Sequence, residues 1–204
     1  MRVALTRLTI LVLAFAPAIA RAEASGHSLV GMGFGPAATV DGDLAHEVRG
    51  DGPAARMRFG GRFDRVGVEL VVTAANLTGT DGGRDTMVLT GPSLAWYALA
   101  HHRAQVGVRG GVVVGSITGA REGQVPCGPR DECETRPGTV DVTRGGYAVD
   151  LGVTAQLALG PRRGSRAVLW IDLGTELVRF QWDDRVVSGR TTQLVIGVAH
   201  GMGF

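Results

Sequence analysis

The stretch TTQLVIGVAHGMGF, residues 191–204, alternates strictly between two kinds of side chain. One phase is largely apolar and holds Thr192, Leu194, Ile196, Val198, His200, Met202 and Phe204. The other phase is small or polar and holds Thr191, Gln193, Val195, Gly197, Ala199, Gly201 and Gly203. Because successive side chains of a β-strand point to opposite faces, a period of two residues indicates a strand. The stretch therefore predicts a strand with one aliphatic face, one small face and a terminal aromatic residue.

Seven further stretches alternate in the same way. The predicted strands cover residues 27–37, 54–62, 66–75, 85–97, 104–115, 142–159 and 166–181. One face of nearly every strand is aliphatic, and the other face gathers glycine, arginine, aspartate and glutamate. The 32 glycines suit the wall of a small barrel, where the interior is crowded. In the fourth strand, Pro92 predicts a bulge or kink, and Trp96 with Tyr97 predicts an aromatic belt at a membrane interface.

The connections between these eight strands alternate in length. The long ones are 38–53, 76–84, 116–141 and 182–189, and the short ones are 63–65, 98–103 and 160–165. Short turns at one end, longer loops at the other and an even strand number are typical of outer-membrane barrels. The prediction is an all-β fold, an eight-stranded antiparallel up-and-down transmembrane β-barrel with both termini periplasmic. A soluble barrel would instead turn its apolar faces inward around a ligand.

The N-terminal residues have the pattern of an export signal. Arg2 and Arg7 precede a short apolar run at residues 8–19, which is too short for a membrane helix, and 20–22 is an A-x-A-like cleavage site. We therefore predict a signal peptide at 1–22 and one barrel domain at 23–204. Cleavage also removes Arg21, which leaves 18 basic against 19 acidic residues and a net charge of −1. This balance argues against nucleic acid as a partner.

The whole mature chain resembles the small eight-stranded outer-membrane barrels of Gram-negative bacteria, such as the OmpA transmembrane domain, OmpX and OmpW. The resemblance lies in the alternating strands and in the closing strand that ends on Phe204. It implies a location in the outer membrane, contact with outer-membrane lipid, and Phe204 as part of the signal read by the barrel-assembly machinery. His200 and Met202 depart from the pattern, because those outward positions are often aromatic in the family.

The inward faces collect charged side chains. We predict a lumen charge network of Arg56, Arg58, Arg62, Glu69, Arg109, Arg144, Asp150, Asp172 and Glu176. Charges removed from water must pair, because an unpaired buried charge is strongly unfavourable. An eight-stranded barrel is just wide enough to be filled by side chains, so these groups favour a plugged lumen. A narrow channel for ions or small apolar solutes is the alternative.

The 116–141 connection carries the two cysteines of the chain, Cys127 and Cys133. In an exported protein a disulfide is expected, and such a small ring would contribute roughly 2 kcal/mol. The spacing is not C-x₂-C and the segment has no histidine, which argues against zinc. This segment is the best candidate surface for an extracellular ligand, and it favours a structural or surface-interaction role.

The chain shows no pattern of catalytic residues. The five histidines are His27, His46, His101, His102 and His200. None shares a strand face with a serine in a spacing that suggests a nucleophile and its base. Asp41, Asp43 and Glu47 lack the spacing of a calcium loop. We therefore predict no enzyme, no metal and no cofactor, with a lipid A-modifying enzyme as a further alternative.

Overall fold

Eight antiparallel strands form the wall of a closed barrel, each pairing with its neighbours in sequence and β1 pairing with β8. The computed structural model describes residues 27–48, 50–78, 83–101, 103–126, 135–159, 166–182 and 184–202. The strands are β1 (His27–Gly42), β2 (Asp51–Phe63), β3 (Val66–Thr78), β4 (Arg84–Ala100), β5 (Ala104–Pro126), β6 (Thr135–Leu159), β7 (Arg166–Trp182) and β8 (Arg185–Met202). The predicted eight-stranded antiparallel barrel is confirmed.

The barrel closes where the glycine-rich phases of β1 and β8 meet. Gly33 pairs with Gly197, and Gly31 pairs with Ala199. A Cβ on Gly31 would lie 3.0 Å from the backbone oxygen of Val198, so the two strands approach too closely for a larger residue. The small face of the closing strand therefore matches the small face of its partner.

The two faces of the wall differ as the alternation predicts. Large apolar side chains point outward and remain exposed on all eight strands, among them Phe34, Met57, Val66, Leu94, Val108, Leu151, Leu173 and Ile196. The intervening residues point inward and are mostly buried. A closed sheet satisfies its own backbone hydrogen bonds, so an aliphatic exterior of this kind is suited to hydrocarbon.

Several strands run further than predicted. Segment 116–141 is not a single long loop, because β5 continues to Pro126 and β6 begins at Thr135. Likewise, β7 ends at Trp182 and β8 begins at Arg185, so most of the predicted loop 182–189 is strand. The predicted strands ended where the aliphatic alternation ends, but the backbone ladder continues through polar and β-branched residues. Pairing such as Thr118 with Thr143 needs no apolar face.

The first connection is also shorter than 38–53 and contains a four-residue helix, α1 (Leu44–Glu47). Leu44 and Val48 are fully buried, so this helix rests on the loop end of the barrel interior. At the opposite end, β2 and β3 are joined by a tight turn in which Asp64 has a φ of 51°. None of the described segments forms a helix long and apolar enough to cross a membrane.

The irregularity predicted at Pro92 lies elsewhere. Pro92 pairs with Leu70 in an unbroken β3–β4 ladder, and the β4–β5 register is the same on both sides of it. The register instead shifts between Tyr97 and Leu99. The interpretation of Tyr97 as part of an outer aromatic belt was wrong, because its side chain is buried in the lumen, whereas Trp96 is exposed on the outer face. Adjacent residues of a strand point to opposite faces, so only one of the two can reach a membrane interface.

Candidate functional site

The middle of the lumen is crossed by a group of seven charged side chains, which we call the charged belt. Its members are Arg56, Arg58, Glu69, Arg109, Asp150, Asp172 and Glu176, and all are buried. They come from β2, β3, β5, β6 and β7, so they meet only because the sheet closes. Each lies on the inward phase of its strand.

Arg58 is the most fully paired member of the belt. Its Nε and Nη2 donate to Glu69 Oε2 and Oε1 at 2.7 and 2.6 Å, which is a bidentate pair. Its Nη1 donates to Thr154 at 3.2 Å and lies 3.5 Å from Asp172 Oδ1. Because the planar guanidinium has five N–H donors, one arginine can link partners on three other strands.

Two further arginines share two carboxylates. Arg56 Nη2 lies 2.6 Å from Asp150 Oδ2, and Arg56 Nε lies 3.6 Å from Asp172 Oδ2. Arg109 pairs with Asp150 through Nη1 and with Asp172 through Nε, the latter at 3.2 Å. Cations and anions therefore alternate around the belt, which offsets the cost of removing each of them from water.

Glu176 is bound differently. Thr191 Oγ1 donates to its Oε2 at 2.7 Å, and the Gln193 amide donates to its Oε1. Both donors come from the small or polar phase of β8, the closing strand. Glu176 thereby ties β7 to β8 inside the lumen through hydrogen bonds from neutral groups.

Glycines leave the space that the belt occupies. Gly152 and Gly174 face each other across β6 and β7, and the Arg109 guanidinium lies against both. A Cβ on Gly152 would lie 3.0 Å from Arg109 Nη2. Gly33 and Gly197 make the same kind of space for the indole of Trp170. The glycine content therefore reflects specific side chains that need room on the inner face.

Two predicted members of the network lie outside the belt. The Arg62 guanidinium lies 5.8 Å from the Tyr97 ring centroid, toward the short-turn end of the barrel. The Arg144 guanidinium lies 4.0 Å from the Trp182 ring centroid, toward the loop end. Both distances are in the range of cation–π contacts. The structure therefore brings seven of the nine predicted residues together and places Arg62 and Arg144 against aromatic rings.

Apolar side chains fill the lumen on both sides of the belt, and this was not predicted. On the loop side, a cluster under α1 consists of Ala37, Leu44, Val48, Ala54, Val71, Ala75, Leu77, Met87, Leu89, Val113, Ile117, Ala148, Val178, Phe180, Trp182 and Val187. A smaller cluster on the turn side contains Ala158, Val168, Trp170, Val195 and Ala199. One sequence pattern could have revealed the larger cluster, namely large apolar residues on the inward phase of their strands, such as Leu77, Met87, Leu89 and Ile117.

The centre of the belt is closed to water. The side chains of Arg58 and Asp172 have a relative exposure of 0% each. Arg62, Glu69, Tyr97 and Gln105 line a cavity of about 30 Å³ on the turn side of the belt, which is space for one or two water molecules. The arrangement can link strands across the lumen, and within the described residues the side chains of Arg58 and Asp172 are closed to water.

At the loop end, β5 and β6 continue beyond the rest of the wall as a two-stranded ribbon. We define the ribbon as residues 121–126 and 135–143. Within the described part of the chain, these residues pair only along the β5–β6 ladder. None of them pairs with β4 or β7, because the β4–β5 ladder ends at Gly119 and the β6–β7 ladder begins at Gly146. Cys127 and Cys133, at the tip of the predicted surface segment, lie outside the described residues, as does Phe204.

The described histidines lie far apart in the sequence and in separate elements. His46 is exposed in α1, His101 is exposed after β4, and His200 is exposed on the outer face of β8. His27 begins β1, and His102 lies outside the described residues. No group of three or more metal-ligating side chains is found among the residues that the structure describes.

Among known proteins, the chain is similar to several solved structures. No protein-family model matches the chain, and no curated protein matches its sequence. Neisserial surface protein A is 12% identical with a TM-score of 0.49, covering 88% of this chain and 97% of its own. Ail, the attachment invasion locus protein of Yersinia pestis, is 11% identical with a TM-score of 0.48, covering 87% and 99%. The outer membrane protein OprG from Pseudomonas aeruginosa is 14% identical with a TM-score of 0.39, covering 88% and 96%.

Proposed function

We propose that this chain is an integral outer-membrane β-barrel whose lumen is plugged and whose role is interaction at the cell surface. The observation that carries the first half is the charged belt, in which Arg58 and Asp172 are inaccessible to water. A lumen filled by buried and largely ion-paired side chains leaves no conducting path.

The ribbon supports the second half of the proposal. Its β6 strand, residues 135–143, has nine residues that lack a partner on the β7 side among the described residues, which corresponds to roughly 30 Å of extended chain. Thr139, Asp141 and Thr143 are exposed along it. A strand edge with unused backbone N–H and C=O groups can accept an extended peptide as a further strand. In the orientation that we propose, with the termini periplasmic, this edge faces the outside of the cell.

A shortened ribbon tests this role. Because Glu122 pairs with Thr139, residues 123–138 can be replaced by an Asn-Gly turn that closes a hairpin at that point. Bacteria displaying the shortened chain should lose adhesion to protein-coated surfaces, while the barrel still shows its heat-modifiable gel mobility. The double variant Cys127→Ser/Cys133→Ser is the matched control for loss of the cysteines. Equal adhesion by the shortened and full chains would contradict the proposal.

A narrow channel for small apolar solutes is the second candidate. It is supported by the apolar cluster on the loop side, a lipophilic interior into which α1 buries Leu44. Single-channel recording in planar bilayers separates the two functions. We expect no stable conductance from the full chain, and a reproducible conductance would favour the channel.

A further inference from the structure

The outer wall carries a groove of 650 Å³ at the loop end, across β6, β7, β8 and the end of β1. Its lining includes Asp41, Tyr147, Val149, Leu177, Arg179 and Arg190. These side chains belong to the outward phase of the strands, so the groove faces the surroundings of the barrel and not the lumen. It lies apart from the charged belt and from the ribbon.

The register arranges the groove in two rows. Nearest the loops, Tyr147 lies opposite Arg179, which lies opposite Ser188. One step toward the middle of the wall, Val149 lies opposite Leu177, which lies opposite Arg190. Tyr147 and Leu177 are 48% and 46% exposed. On β6 and β7, Tyr147 and Arg179 therefore stand directly above the aliphatic side chains of the next row, which is the order of chemical groups at the surface of a lipid leaflet.

The two arginines are diagonal neighbours on adjacent strands, a placement that puts the two residues about 7–8 Å apart and their Cβ atoms somewhat closer. Arg179 is exposed, and its Nη1 lies 3.5 Å from the Tyr147 hydroxyl. Among the described side chains no carboxylate forms an ion pair with Arg179. Its charge is therefore available to an external anion.

Arg190 is held by a carboxylate that a stronger anion could displace. Its Nη2 lies 2.8 Å from Asp41 Oδ2, and the two side chains are 44% and 56% exposed. The β1–β8 register shifts between Thr39 and Asp41, and Asp41 then pairs with Arg190. Ion pairs with this exposure contribute little to stability, so exchange of the partner costs little.

We propose that this groove binds a phosphorylated glycolipid of the outer leaflet. A lipid phosphate lies between Arg179 and Arg190, with the Tyr147 hydroxyl as a further donor, and an acyl chain lies along Val149 and Leu177. Arginine matches phosphate geometry through paired N–H donors, and its stem packs on apolar surface. This proposal rests on the proposed membrane location and orientation, which turn the loop end toward the outer leaflet.

The test measures lipid retained by the full chain. The protein is refolded in phosphatidylcholine nanodiscs doped with diphosphoryl lipid A, and the lipid A that remains after exchange into detergent is quantified by mass spectrometry. Loss of a charge-assisted contact predicts about tenfold weaker retention by Arg179→Gln. Asp41→Asn should retain severalfold more, because it frees Arg190 for the phosphate. Arg103→Gln, an exposed arginine at the short-turn end, should match the full chain.

Several results would overturn the proposal. These are equal retention by Arg179→Gln and Arg103→Gln, unchanged retention by Asp41→Asn, or equal retention of lipid A whose phosphates have been removed. Equal retention of phosphatidylglycerol would overturn the assignment to a glycolipid. Each variant is first checked for heat-modifiable mobility, so that loss of lipid binding in an inserted barrel is distinguished from failure of the barrel itself. The chain with the shortened ribbon should still retain lipid A.

Discussion

Arg58 and Glu69 face each other across β2 and β3 in a bidentate ion pair, with N–O distances of 2.7 and 2.6 Å, at the centre of the barrel. Arg58 pairs with Val71, and Glu69 lies two residues from Val71 along β3, so Arg58 and Glu69 share the inner face and meet diagonally. This pair anchors Arg58 while its remaining donors reach Thr154 and Asp172 on the far wall. The pair therefore connects a local hairpin to strands more than ninety residues away in sequence.

Removing Glu69 should weaken the barrel strongly. In Glu69→Ala, Arg58 keeps its position between strands but loses its bidentate partner, and breaking a buried ion pair costs about 3–5 kcal/mol. The measurement is the urea midpoint of unfolding in lipid vesicles, followed by heat-modifiable gel mobility. The matched control is Glu47→Ala, which breaks the exposed pair with Arg185 and should change the free energy of unfolding by about 1 kcal/mol or less. Similar effects of the two variants would contradict a stabilising belt.

The wall could be predicted from the sequence because alternation is a local property. A period of two residues predicts which aliphatic side chains point outward, and the number of alternating stretches predicts the number of strands. The strand ends could not be predicted, because hydrogen bonding in the β5–β6 ladder continues to Pro126 and Thr135 without the aliphatic pattern. For the same reason, the surface segment at 116–141 is largely strand.

Which side chain each lumen charge contacts could be determined only from the three-dimensional register of the strands. Arg56, Arg58 and Arg62 share one strand face, yet the first two meet carboxylates and the third meets Tyr97. Which of them reaches Asp150 or Asp172 depends on how far β6 and β7 are staggered around the barrel. The apolar cluster was missed because inward valines such as Val71 and Val113 are of the same residue type as the valines of the outer wall. Residue type alone therefore does not distinguish the two faces there.

Gly174 should tolerate no side chain. In Gly174→Val the new methyl groups meet the Arg109 guanidinium, which is held by Asp150 and Asp172 and cannot retreat. Overpacking of this kind costs about 1–3 kcal/mol, measured as a lower urea midpoint. Gly145→Val is the matched control, because a Cβ at Gly145 has nothing within 4 Å. The prediction fails if both valine variants unfold at the same midpoint.

The short helix α1 should detach when its buried residue is charged. Leu44 is fully buried in the apolar cluster, whereas His46 in the same helix is exposed. An aspartate at position 44 would be buried without a partner, which is strongly unfavourable, so Leu44→Asp should free the first loop and leave the wall intact. Limited proteolysis should then cleave within residues 43–50, while His46→Asp stays resistant. Resistance of both variants would show that Leu44 does not hold the helix.

Deleting Phe204 should impair assembly more than any change in the loops. The basis is the family resemblance of the closing strand, in which the terminal aromatic is read by the assembly machinery, and this stays a prediction because Phe204 lies outside the described residues. The measurement compares folded barrel in the outer membrane of cells expressing the full chain, the Phe204 deletion and the shortened ribbon. The deletion should lower the folded amount, and the shortened ribbon should not. Refolding in vesicles separates assembly from stability, because a chain without Phe204 should refold there normally. A deletion that assembles as well as the full chain would remove Phe204 from the assembly signal.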